Sequence, residues 1–139
     1  MTYDKLLLDT VFIQALLNKR DTYHQQALAL LPRVRSALEV WVTEAVLIED
    51  ANALSAINRS AAVEFIRQCY HTPNMQVVTV DTSLLSQALN LYQSRADKTW
   101  GLTDCISFVV MSEQGIAQAV TADRHFIQAG YRALMVEDS

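Results

Sequence analysis

The sequence predicts an α/β domain of three layers, α/β/α, in which helices cover both faces of a short parallel sheet of four or five strands. Three observations predict it. Short apolar runs of strand length alternate along the chain with longer stretches of helical periodicity, and strands separated by helices pair in parallel through right-handed crossovers. The 139 residues hold a single domain spanning residues 1–139, large enough for a real core and too small for a second. Three glycines, two prolines, and 51% hydrophobic against 19% charged residues exclude a disordered chain, a collagen-like repeat and a turn-dense all-β design.

Taken in order, Lys5–Leu8 is a short buried strand and residues 12–18 carry the first helical pattern. Asp21 is placed to cap a second helix running toward Leu31 and interrupted near Pro32, whose missing N–H and bulky ring disrupt the helical ladder. Residues 40–42, Val-Trp-Val, form a second strand. A helix follows from Thr43 or Glu44 to about Ile57, with Leu47, Ala51 and Leu54 on one stripe. Ser60 caps the next, which ends near Cys69. Pro73 and Asn74 break the chain before a third strand at residues 76–80. Thr82 or Ser83 caps a helix through Leu84, Ala88, Leu91 and Tyr92. After a loop over residues 97–102, Thr103 caps a helix that passes Gln114 and stops at Gly115. Residues 119–121 are a fourth strand, 126–129 a helical turn ended by Gly130, and 133–136 a last strand.

Composition narrows the function. Cys69 and Cys105 belong to no C-x-x-C pair, so two buried thiols are expected rather than structural zinc or a disulfide framework. The net charge of −4 leaves no basic face of the kind nucleic-acid binders display, unless the acids gather in one pocket that a cation neutralises. No apolar run approaches the ~18 residues of a membrane span. Asp4, Lys5 and Asp9 interrupt the first apolar stretch, so an export signal is not expected and the cytoplasm is the default location. Phosphate-cradling glycine loops are absent, and His24, His71 and His125 show no metal-ligand spacing. A phosphoacceptor or phosphatase-like site would need a second acid beside Asp9, where Thr10, Val11 and Phe12 follow.

Sites in open parallel sheets form at the carboxyl ends of the strands, and acids recur there. Asp9 closes the first strand, Asp123 follows the fourth, Asp104 opens a helix, and Glu49 lies about a turn and a half into the helix after the second strand. Converging carboxylates cannot all ionise without a counter-ion, and carboxylates with water are the ligand set of Mg²⁺ or Mn²⁺. Mutual repulsion should raise at least one of their pKa values. Glu44 is a rival to Glu49, but it sits at the helix start, and Asp50 has no assigned part. Thr10, Thr103 and Ser107 are candidates to hold the carboxylates or their waters.

Asp9-Thr10 after an apolar strand, Val46-Leu47-Ile48-Glu49, Leu102-Thr103-Asp104-Cys105-Ile106-Ser107 and Thr121-Ala122-Asp123-Arg124-His125-Phe126 together resemble the PIN-domain ribonucleases, most of all the VapC-type toxins. The resemblance runs from about Leu6 to Met135. It implies a Mg²⁺- or Mn²⁺-dependent endoribonuclease, usually dimeric and often inhibited by a cognate antitoxin. Asp9 and Asp104 would be the principal metal ligands, with Glu49 and Asp123 completing the pocket, and Lys98, Trp100 and Arg124, which flank Asp104 and Asp123, would be the candidate RNA contacts. The alternative is a catalytically silent PIN scaffold that binds protein or RNA, against which the four acids argue. Tyr3, Phe12, Trp41 and the apolar helices suggest more hydrophobic surface than one domain covers, so a symmetric homodimer is expected.

Overall fold

Leu6, Leu7 and Leu8 are all buried, at 0–1% exposure, because side chains alternate along a strand and this strand has a core on each side. Leu6 and Leu8 join Phe12, Val40 and Val46 on one face. Leu7 joins Cys105, Phe108 and Phe126 on the other. Each such leucine contributes about 1.5–3 kcal/mol of burial, which anchors this strand at the centre of the sheet. The computed structural model describes residues 4–137, so Tyr3 lies outside it.

The strands are β1 (Lys5–Leu8), β2 (Glu39–Thr43), β3 (Met75–Val78), β4 (Gln118–Val120) and β5 (Arg132–Ala133). All pair in parallel, in the order β3-β2-β1-β4-β5. Between them run α1 (Thr10–Leu17), α2 (His24–Ser36), α3 (Glu44–Leu54), α4 (Arg59–Cys69), α5 (Thr82–Ser94), α6 (Leu102–Gln114) and α7 (Arg124–Gln128). The chain builds outward from β1 in one direction to β2 and β3, then in the other to β4 and β5. That reversal opens a crevice at the carboxyl ends of β1 and β4. Leu8 pairs with Val120, so the next residues, Asp9 and Thr121, stand side by side at its floor.

Several boundaries differ from the sequence expectation. Pro32 does not interrupt α2, which continues to Ser36. Val34 and Ala37 beyond it are buried, and Arg33 pairs with Asp4 at 3.0 Å, so packing and an ion pair carry the helix past its proline. Asp21 is not the cap of α2: its carboxylate accepts from the Tyr23 N–H at 2.8 Å in the turn before the helix. Asn58 rather than Ser60 caps α4, Asp81 rather than Thr82 or Ser83 caps α5, and Gly101 rather than Thr103 occupies the cap of α6. Helix α3 stops at Leu54, short of Ile57. The last strand is only Arg132–Ala133, followed by a 3₁₀ turn at Leu134–Val136 that buries Leu134 and Met135. Gly115 ends α6 at φ 66°, a left-handed position that glycine occupies without strain.

Candidate active site

Asp9 is 2% exposed. Its backbone ends β1 while its side chain turns across the crevice, where Oδ2 accepts from Thr121 Oγ1 at 2.6 Å. Thr10 Oγ1 makes a long contact to Oδ1 at 3.5 Å. Burial pushes the Asp9 carboxyl up to about 7, with the Thr121 bond opposing and the charges of Asp104 and Asp123 adding to it. The expected rise is present, but desolvation is its main cause and repulsion the smaller one.

Asp104 opens α6 and bends back to the helix start, Oδ2 accepting from the Gly101 N–H at 3.1 Å. The same oxygen accepts from His125 Nδ1 at 3.0 Å. Burial raises the Asp104 carboxyl, against the bonds from His125 and Gly101. Asp123 caps α7 by accepting from the His125 N–H at 2.9 Å, and His125 Nδ1 lies 3.4 Å from its Oδ1. The His125 ring is held from both sides, since Nε2 is 3.2 Å from Thr99 Oγ1. A neutral ring satisfies every partner by donating from Nδ1 to the carboxylates and accepting at Nε2 from the threonine.

One ligand atom from each of Asp104, Asp123 and His125 lies within 4.8 Å of the others. Asp9 joins them electrostatically, through its interaction with Asp104 and Asp123. His125 is the member that motif spacing missed. Its signal was its place two residues after Asp123, on the first turn of the same short helix.

The remaining expected residues divide. Glu49 is exposed on α3, whereas Asp50 beside it is buried. Glu44 accepts from Tyr70 Oη at 2.6 Å, which ties it to α4. Thr10 touches Asp9; the Ser107 hydroxyl is buried without a hydrogen-bond partner and does not reach the acids; Thr103 is half-buried. Trp100 is 6% exposed and packs edge-on against Phe108 at 5.0 Å, with Nε1 donating to Gln128 at 3.1 Å. It anchors the loop and presents no open face for a base. Lys98 lies 4.0 Å from Asp97, and Arg124 is exposed.

The profile of the PIN domain matches residues 6–130. The chain belongs to the PIN-domain family. No curated protein matches it. Among solved structures, this PIN domain is similar to the VapC20 toxin of Mycobacterium tuberculosis, described as cleaving the sarcin-ricin loop. The TM-score is 0.82 and the identity 25%, over 91% of this chain and 96% of that one. PIN nucleases use divalent metals, and the carboxylates gathered here fit one, since oxygen ligands suit Mg²⁺ and Mn²⁺. Among the described residues no helix is long and apolar enough to cross a membrane.

Proposed function

We propose that this PIN domain is a Mg²⁺- or Mn²⁺-dependent endoribonuclease that hydrolyses RNA phosphodiester bonds, acting in the cytoplasm as the toxin of a toxin–antitoxin pair. The observation that carries the reading is the convergence of Asp104, Asp123 and His125 within 4.8 Å beside the buried Asp9, at the switch point of the sheet. The likeness to a toxin described as cleaving the sarcin-ricin loop supports RNA as the polymer.

A bound divalent ion supplies an activated water and neutralises charge on the attacked phosphate. Asp9, Asp104 and Asp123 hold it. Thr121 fixes the Asp9 carboxylate, and His125 fixes that of Asp104 while keeping Asp123 turned toward it. No side-chain nucleophile is required. Arg124, exposed on the first turn of α7, is placed to meet the RNA backbone, and Lys98 adds positive charge from the loop before α6.

The partners follow from the same reading: an RNA substrate, a small cognate antitoxin, and a second copy in a homodimer. Phe12 is fully buried and Trp41 is half-buried with Nε1 bonded to Glu39, so neither offers the surface for a second copy. That surface is instead offered by Ile48 on α3, Tyr70 just after α4 and Leu89 and Tyr92 on α5, all 46–63% exposed.

Purified protein incubated with single-stranded RNA and Mg²⁺ or Mn²⁺ tests the reading, beside a chelated reaction and a phosphate-monoester substrate. The expected result is cleavage of RNA alone, abolished by EDTA. Cleavage of nothing would leave a silent scaffold, and turnover of the monoester would point to a phosphatase-like site.

A further inference from the structure

Three successive residues of the loop before α6 each make one bond to the framework of the site. Thr99 Oγ1 pairs with His125 Nε2 at 3.2 Å. Trp100 Nε1 donates to Gln128 Oε1 at 3.1 Å, and the Gly101 N–H donates to Asp104 Oδ2 at 3.1 Å. His125 and Gln128 stand three residues apart on α7 and so share one helix face. Loop and helix clasp each other, and the acids Asp104 and Asp123 sit on the two elements they join.

His125 is the middle of this clasp. Its Nδ1 lies 3.0 Å from Asp104 Oδ2 and 3.4 Å from Asp123 Oδ1. The Gly101 N–H falls on that same oxygen of Asp104, and the His125 N–H on that same oxygen of Asp123. The other oxygen of each carboxylate, Oδ1 of Asp104 and Oδ2 of Asp123, is thereby left for a cation. The last torsion of a histidine side chain is broad, so a ring bonded at one nitrogen alone can turn away from the acids. The Thr99 hydroxyl supplies the second point, since it can donate to a bare ring nitrogen or accept from a protonated one. The Trp100–Gln128 bond fastens the same loop without touching an acid.

We infer that Thr99 is a positioning residue of the cation site: acting through His125, it holds one oxygen of Asp104 and one of Asp123 to the imidazole and leaves the other of each to the ion. The inference rests on the cation-dependent reading above and extends the site to a loop residue that never meets the ion.

The test is a Mn²⁺ titration followed by electron paramagnetic resonance, with melting curves in EDTA. It uses the full chain as wild type, Thr99→Val, Thr99→Ser, Gln128→Leu and Asp104→Asn. Thr99→Val should weaken Mn²⁺ binding about fivefold to tenfold, as expected for one lost hydrogen bond behind a ligand. Its Tm in EDTA should stay close to that of wild type, because Thr99 is exposed. Thr99→Ser, which keeps the hydroxyl, and Gln128→Leu, which cuts only the neighbouring bond, should both bind within about twofold of wild type. Wild-type affinity in Thr99→Val, with Asp104→Asn impaired, overturns this inference and leaves the nuclease reading standing. An equal loss in Gln128→Leu, or no recovery in Thr99→Ser, assigns the effect to a loosened loop and equally overturns it. No Mn²⁺ binding by the wild type overturns both.

Discussion

Asp9 holds its proton far more tightly when folded, at about 7, than in the unfolded chain, where an aspartate titrates near about 3.9. Between those values the folded chain carries a proton that the unfolded chain has released. Stability of the metal-free protein therefore falls as pH rises through that window. Holding Asp9 ionised costs on the order of 4 kcal/mol. Asp50, raised to about 9 by burial, extends the decline toward higher pH. Melting temperatures in EDTA should drop from pH 5 to pH 8, and Asp9→Asn should flatten the part between pH 5 and 7 while raising Tm at neutral pH. A wild-type curve that is flat or rising would contradict the burial of this acid. Asp9, Asp104 and Asp123 were legible in the sequence because strand ends and helix starts are local features. The contact of His125 with Asp104 and the burial of Asp50 were not, since both depend on which way a helix is rotated against its neighbours.

Helices and loops show where local signals lose to packing. Pro32 reads as a stop, yet α2 runs four residues past it because Val34 and Ala37 are buried. The proline remains a local cost, lacking an N–H and crowding the carbonyl of Leu28. Pro32→Ala should raise stability by about 1–3 kcal/mol in urea unfolding, and a loss would show that the proline itself is needed. The loop before α6 reads as a candidate RNA contact through Trp100, but that ring lies in an aromatic stack, with Phe108 and Phe126 4.9 Å apart next in line. Trp100→Ala should cost about 3–5 kcal/mol of stability. Weakened RNA binding at unchanged Tm would instead restore the contact role. Caps shifted by one or two residues at α4, α5 and α6 for a simpler reason: Asn, Asp and Gly compete with nearby Ser and Thr for the same place.

At the scale of the whole molecule, the alternation of strands and helices made the layered parallel sheet legible. The strand order was not, because a sequence does not state on which side of β1 the later strands return. The order β3-β2-β1-β4-β5 creates the crevice and brings Asp9 to the acids of α6 and α7. The exposed apolar residues on α3, α4 and α5 lead to a further expectation, a dimer in sedimentation at micromolar concentration. A monomer of 15.6 kDa would contradict it. The central claim is that these acids hold a cation that drives hydrolysis of RNA by water. Its most direct measurement is the rate and end chemistry of RNA cleavage by wild type and Asp104→Asn in Mg²⁺. The expected result is a loss of at least about a hundredfold in the variant, at an unchanged fold by circular dichroism, and products without 2′,3′-cyclic phosphate, since water rather than the ribose hydroxyl attacks. Equal rates in the two proteins, activity that survives EDTA, or cyclic phosphate ends would contradict the account.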